Sequence, residues 1–311
     1  MGLLTRLIVD TYIIINCLNG EEYLRDAINS IYNQTYTNWE IIFWDNASTD
    51  KSAAIAKSYD KKLCYFLSES VDTLYKARNK AVMEARGEYL AFLDCDDIWT
   101  SKKLEKIVLL MDLKTDGAAY ASNCRYLYNN KPKKSFYSES NGDVLEQSFS
   151  DLISKYNVAI SSVVLSKDLF DRNLGFDGDF EFTGDKELLV RLALKKNMYI
   201  TREVLTLIRI HNNNLTNLSF EKFSKENYML LKKLMQQNSW VFDNNEALLL
   251  SAIKKTLFQK SIMLWKVGSN SEGRKLTLSL LPSIKHLMFL IVTLLPSRLY
   301  LPISNLYKIL K

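Results

Sequence analysis

Four short runs of apolar, β-branched and aromatic residues, each separated from the next by a turn signal and a helical pattern, fill the first hundred residues. That alternation constrains the fold more than any other feature of the chain. Tyr12 to Ile15 is a buried-strand pattern. Asn19 precedes Glu22 by three positions, an Asn variant of the capping box, and Leu24, Ala27, Ile28 and Ile31 follow at helical spacing. Trp39 to Trp44 is a second strand, followed by the polar turn "DNASTD", whose Ser48 or Thr49 is placed to cap a short helix around Ala53 to Ser58. Leu63 to Leu67 is a third strand. A helix is expected from about Thr73 to Arg86, stopped by Gly87, and Tyr89 to Leu93 is a fourth strand.

This β-α-β-α-β-α-β order implies an α/β fold: an open, Rossmann-like, mostly parallel sheet flanked by helices. Such sheets bind ligands outside the carboxyl ends of their strands. Asp45 and Asp94 each follow a strand directly and so share one rim. Residues 129–143 are polar, carry Pro132 and Gly142, and suit an exposed loop or hairpin. Ala159 to Leu165 is a further strand, Gly184 to Lys196 a helix and Arg202 to His211 a strand. From Phe220 to Val267 the pattern is helical. Three regions result: 1–128, 129–216 and a helical extension over 217–311.

The tail, Leu276 to Lys311, has no acidic residue and holds Lys285, Arg298, Lys308 and Lys311. Its apolar stretch Leu287 to Leu295 is too short to span a bilayer. Two readings stand: an interfacial helix on an anionic membrane, or a lid packed on protein.

Composition excludes several chemistries. With 47% hydrophobic and 24% charged residues the chain is a packed globule, and its net charge of +6 favours anionic partners without a nucleic-acid signature. Cys17, Cys64, Cys95 and Cys124 show no metal-finger spacing and suit reduced thiols of a cytosolic protein. The opening "MGLLTRLIVD" has too short an apolar run for a secretory signal. The chain has two histidines, so any metal must rest mainly on oxygen ligands. No Gly-x-Gly occurs, and the dinucleotide fingerprint and the P-loop are both absent. Asp94, Asp96 and Asp97 crowd behind the fourth strand, where their mutual repulsion requires compensation. Mg²⁺ or Mn²⁺ would relieve it and could bridge a diphosphate. The alternative is an Asp-rich turn that only caps the next helix.

Five segments together resemble the family 2 glycosyltransferases, which have the GT-A fold: "IIINCLNGEEYLRDAINSIYNQTYTNWEII", "DNASTD", "KARNKAVMEARGEYLAFLDCDDIW", "GDKELLVRLA" and "IRIHNNNLT". Their order and spacing agree from about Tyr12 to Thr216. The resemblance implies inverting transfer of a sugar from a nucleoside diphosphate sugar, with UDP as the expected nucleotide. It implies that Asp45 bonds the uracil ring, and that Leu18 and Asn19 line the nucleotide pocket. Arg78 is implied near base and diphosphate, Asp94 at the ribose or a metal-bound water, and Asp96 and His211 at Mn²⁺ or Mg²⁺. Asp185 is implied as the general base. The implied acceptor is a glycan or lipid-linked glycan, on the inner face of a bacterial membrane. Each residue also has a plain alternative: Arg78 as a solvated salt-bridge partner, Asp185 as a helix-start charge, Asp45 and His211 as turn residues.

The chain departs from the family pattern at four positions. Asn16 replaces a proline and Leu18 an aromatic that lies on the base. Ala47 replaces a turn glycine, and Gly184 an acid beside the base, which lessens like-charge elevation of Asp185. Two competing readings are a phosphohydrolase, whose Asp-x-Asp pair normally follows the first strand, and a catalytically degenerate sugar-nucleotide-binding or scaffold protein.

Overall fold

The computed structural model describes residues 11–211, 214, 220–238, 246–266, 271–273 and 275. The chain divides into two compact units, Met1–Asn212 and Asn213–Lys311. Described parts of the second unit include two long helices, Phe220–Gln237 and Glu246–Lys266, where a helical pattern was expected. The tail from Leu276 onward lies outside the described residues.

The first unit is built on a ten-stranded mixed sheet. Strands β1 (Thr11–Cys17), β2 (Trp39–Asp45), β3 (Leu63–Leu67) and β4 (Tyr89–Phe92) pair in parallel in the order β3-β2-β1-β4. This is the half in which strands and helices alternate. Each parallel pairing needs a crossover, and α1 (Leu24–Tyr32), α2 (Ser52–Ala56) and α3 (Leu74–Met83) supply them. Beyond β4 the sheet turns mixed. Strand β9 (Val163–Ser166) runs antiparallel to both β4 and β6 (Ala119–Tyr128), while β10 (Met198–Ile210) runs parallel to β6. The short β5 (Ile98–Trp99) and β8 (Val144–Gln147) pair antiparallel with β10, and β7 (Lys131–Ser135) with β6.

Both faces of the parallel half are buried, which explains its unbroken apolar runs. Ile13, Ile15 and Phe43 face one way, into a core with Leu24, Ile28 and Ile31 of α1 and with Leu104 and Ile107 of α4 (Lys103–Leu113). On the other face Phe92 packs against Phe170 of α6 (Lys167–Arg172) and against Phe176, with ring centroids 6.3 and 5.4 Å away. Two further helices of the unit are α5 (Phe149–Ser154) and α7 (Gly184–Ala193).

Two local expectations need correction, and a third segment takes one of its two expected forms. Helix α3 ends at Met83 rather than Arg86, because the Glu84 and Ala85 amides turn back to the Ala81 and Val82 carbonyls, so Gly87 is not its cap. Ser161 and Ser162 lie in a 3₁₀ turn before β9 rather than in the strand. The polar segment after β6 is a hairpin, turned by Asn129 and Asn130 at φ of 49° and 57°.

One core feature is costly. Lys103, wholly buried at the start of α4, donates to the Ser162 carbonyl and the Ser122 hydroxyl. Burial pushes its amine down to about 7. An unfolded lysine holds its proton to about 10.4, so between those values unfolding takes up a proton and stability rises with pH, by about 1.4 kcal/mol per unit. Lys103→Met should remove that rise. Denaturant unfolding at neutral and mildly alkaline pH should show the wild type gaining stability relative to the variant as pH increases.

Candidate active site

The loops after β1 and β2 are stitched together by side chains. Asn19, at φ 55°, places its amide on the Ser48 hydroxyl (3.0 Å) and accepts the Thr49 amide on its side-chain oxygen (2.8 Å). The Glu21 amide donates to Asp50 (2.9 Å) and the Lys51 amide to Glu21 (2.8 Å). Asn19 is therefore not the cap of α1, which begins at Leu24 with the Leu24 amide on the Gly20 carbonyl. Nor do Ser48 or Thr49 cap α2: Asp50 takes the Ser52 amide. Ala47 sits at φ 63°, a left-handed position that costs a non-glycine residue about 1 kcal/mol, which accounts for the usual glycine. Gly20 cannot be replaced without movement, since a Cβ there would lie 2.8 and 2.9 Å from the Cys17 and Cys95 sulfurs.

Asp45 ends β2 with 0% exposure. One carboxylate oxygen accepts the Ser48 amide (2.8 Å) and the other the Tyr65 hydroxyl (2.7 Å). It holds the turn rather than facing outward. Leu18, just past β1, is 44% exposed beside this turn.

The three carboxylates after β4 divide their roles. One oxygen from each of Asp94, Asp96 and Asp97 lies within 4.8 Å of the others. Asp97 points inward: it is buried, accepting the Ser161 hydroxyl (2.5 Å) and the Arg209 amide (3.0 Å). Burial, with Asp96 and Asp94 adding to it, raises its carboxyl well above the ordinary range. Asp94 accepts from the Arg78 guanidinium, and Asp96 meets His211 Nε2 at 2.8 Å. Burial first and Asp94 second raise the Asp96 carboxyl, against the pull of His211. The repulsion expected of this cluster is thus met by three separate partners, and only Asp94 and Asp96 keep exposed side chains, at 37% and 23%.

Arg209 braces this corner. Its Nε donates to the Asp96 carbonyl (3.0 Å), and its guanidinium reaches Asn130 (2.7 Å) and Asp26 (3.1 Å) over the Tyr23 ring. Tyr23 also packs on the His211 ring, 5.0 Å between centroids.

Asp185 lies in the first turn of α7. Its two oxygens accept one tyrosine hydroxyl each, Tyr75 at 3.1 Å and Tyr156 at 3.2 Å. Burial raises its carboxyl, while the Lys186 amide, Arg78 and both hydroxyls pull it back. Gly184 is glycine for a steric reason: a Cβ there would lie 2.6 Å from the Tyr75 ring. Arg78 is not a solvated helix residue. It is 3% exposed, 5.5 Å from the Tyr75 ring and 5.9 Å from that of Phe176, and its charge acts on both Asp94 and Asp185. The helix α3 thereby joins the proposed base to the acidic loop, and His211 completes that loop's outer side.

The profile of glycosyl transferase family 2 matches residues 12–172, more than half of the chain. This chain belongs to glycosyl transferase family 2. An uncharacterized glycosyltransferase of Rickettsia typhi is 30% identical over 81% of this chain and 82% of its own length. The Escherichia coli UDP-Glc:alpha-D-GlcNAc-diphosphoundecaprenol beta-1,3-glucosyltransferase WfgD is 28% identical over 61% of this chain and 71% of its own. Among solved structures, Staphylococcus aureus TarS in complex with UDP superposes with a TM-score of 0.63 at 18% identity, over 79% of this chain and 71% of TarS. The fold of this glycosyltransferase is therefore the GT-A fold.

Several residues of the glycosyltransferase site escaped the sequence reading. Tyr75 precedes Arg78 by three positions on one helix, and Arg209 near the end of β10 precedes His211, just past it, by two, so helix and strand periodicity place each beside a residue already singled out. Tyr156 and Ser161 carry no such signal. Removing one hydrogen bond to a charged group costs about 1.5–3 kcal/mol. Tyr156→Phe should therefore raise the Asp185 carboxyl further. A carboxyl-carbon NMR titration, with the resonance assigned by its loss in Asp185→Asn, checks this.

Proposed function

We propose that this glycosyltransferase moves a sugar, with inversion, from a UDP-hexose or UDP-N-acetylhexosamine to a hydroxyl of a glycan or lipid-linked glycan. The observation that carries the reading is the joining of Asp185 to the Asp94–Asp96 loop through Arg78 and Tyr75. Asp185 takes the proton from the attacking acceptor hydroxyl. Its raised carboxyl makes it a stronger base than a free aspartate, and its two hydroxyl donors hold it in one orientation. Gly184 leaves no second carboxylate beside it, and Tyr75 fills that space. A single base suits direct displacement through an oxocarbenium-like transition state, the route that inverts the anomeric carbon.

The donor set fits a hard divalent ion: oxygens of Asp94, Asp96 and Asp97 lie within 4.8 Å of one another, the His211 imidazole meets Asp96 at 2.8 Å, and the raised Asp96 carboxyl needs a counter-charge. Mg²⁺ or Mn²⁺ bound there supplies positive charge against the departing diphosphate. Arg78, held behind Asp94, adds fixed positive charge to the same wall. The base-side pocket is shaped by Leu18 and the Asn19 turn. We read Asp45 as the holder of that turn, because both of its oxygens are engaged.

UDP as the nucleotide is supported by the E. coli relative, whose name specifies UDP-Glc, and by TarS solved with UDP and with UDP-GlcNAc. A lipid-linked acceptor is supported by the diphosphoundecaprenol in that relative's name. None of the described helices is long and apolar enough to cross a membrane. We assign peripheral attachment at the inner face of the cell membrane to the basic, apolar tail.

Transfer of radiolabelled glucose or N-acetylglucosamine from UDP to a diphosphate-linked lipid acceptor tests the reading. Asp185→Asn should lower the rate by about 10²–10⁴-fold with UDP binding retained. Asp96→Ala should abolish the added thermal stability that UDP with Mn²⁺ confers. Undiminished transfer by either variant refutes its role. UDP binding without turnover across a panel of acceptors would favour the scaffold reading.

A further inference from the structure

The hairpin of β6 and β7 has a composition that the transfer chemistry does not use. Among the described residues strand β7 pairs only with β6 and forms an edge. Lys131, Lys133 and Lys134 are exposed within five residues, and no acidic residue occurs between Cys124 and Ser138. Tyr126 and Tyr128 are 39% and 49% exposed on β6. The Lys133 ammonium lies 6.0 Å from the Tyr128 ring, and Phe136 packs at 4.8 Å behind Tyr126. The turn is tight, with two successive asparagines at positive φ, so the face is held rather than floppy.

Its position is equally specific. Tyr128 pairs in register with Ile210, the neighbour of His211. Asn130 accepts from the Arg209 guanidinium, whose Nε holds the Asp96 carbonyl. The basic, aromatic hairpin is built onto the outer side of the acidic loop.

Lysines and a proline on an edge strand also deter strand-to-strand aggregation. That accounts for the charge but not for two exposed tyrosines, which would promote association. Lysine heads with aromatic rings among them match a lipid interface, where phosphate takes the cation and the headgroup layer takes the ring.

We propose that the β6–β7 hairpin docks the enzyme on an anionic phospholipid surface, with Lys131, Lys133 and Lys134 on headgroup phosphates and Tyr126 and Tyr128 in the headgroup layer. Docked so, the Asp96–His211 side of the site faces the layer that carries a lipid-linked acceptor; this last consequence rests on the transfer reading, whereas the docking does not.

The test is co-sedimentation of the full chain with vesicles of phosphatidylcholine alone and of phosphatidylcholine mixed with phosphatidylglycerol. The wild type should bind the anionic vesicles and bind neutral ones far less. Removing each lysine should weaken binding about fivefold, so Lys131→Gln/Lys133→Gln/Lys134→Gln should weaken it roughly a hundredfold. Tyr126→Ser/Tyr128→Ser should weaken binding with the charges intact. Circular dichroism should show both variants folded, since only exposed side chains change. Unchanged vesicle binding by the triple variant overturns the proposal, whatever deletion of Pro282 to Lys311 does. Equal binding to neutral vesicles overturns it too, as does a hairpin-dependent dimer that ignores vesicles. A protein that binds vesicles through the hairpin yet transfers no sugar faults the transfer reading alone.

Discussion

The site depends on one buried charge. Arg78 is almost wholly enclosed, and a guanidinium in that position requires a carboxylate partner, because an unpaired buried charge costs several kcal/mol. Asp94 provides it. The pair fastens helix α3 to the loop after β4. Tyr75, one turn earlier on the same helix, reaches Asp185 on α7. A single helix face therefore sets the relation between Asp185 on one side and the acidic loop on the other. In the proposed reaction the desolvated guanidinium would place positive charge near the leaving diphosphate without having to touch the substrate.

Around that pair the acidic loop is organised by division of labour. Three neighbouring carboxylates could not all stay ionised without compensation. Asp97 turns into the protein and becomes a structural acceptor for Ser161 and the Arg209 amide. Its burial fixes the loop so that Asp94 and Asp96 are presented outward. Arg209 then grips the Asp96 carbonyl and, through Tyr23, the His211 ring. The loop is thus held in place by residues packed behind it, as charge stabilisation in the proposed transition state would require.

Much of this was legible in the chain. The alternating first half dictated four parallel strands, and the carboxyl-end rule put Asp45 and Asp94 on one rim. Periods of hydrophobicity are local, and they survive into the fold. The misses are all matters of contact. No pattern tells which of three adjacent aspartates faces inward, since that depends on Ser161, more than sixty residues away. Asn19 looked like a helix cap, but the turn after β2 offers its side chain a better-placed amide at Thr49. Tyr156 reaches Asp185 from a segment with no motif at all. Gly184 was visible as a departure, while its cause, the Tyr75 ring, lay in a distant helix.

The central claim is that the acidic loop and Asp185 serve one reaction centre. Anomalous diffraction from crystals grown with Mn²⁺ and UDP addresses it directly. The account predicts a manganese peak at Asp96 and His211, with the diphosphate lying between that peak and the Asp185 side of the same cleft. Manganese bound elsewhere, or a diphosphate in a depression that excludes Asp185, would contradict it.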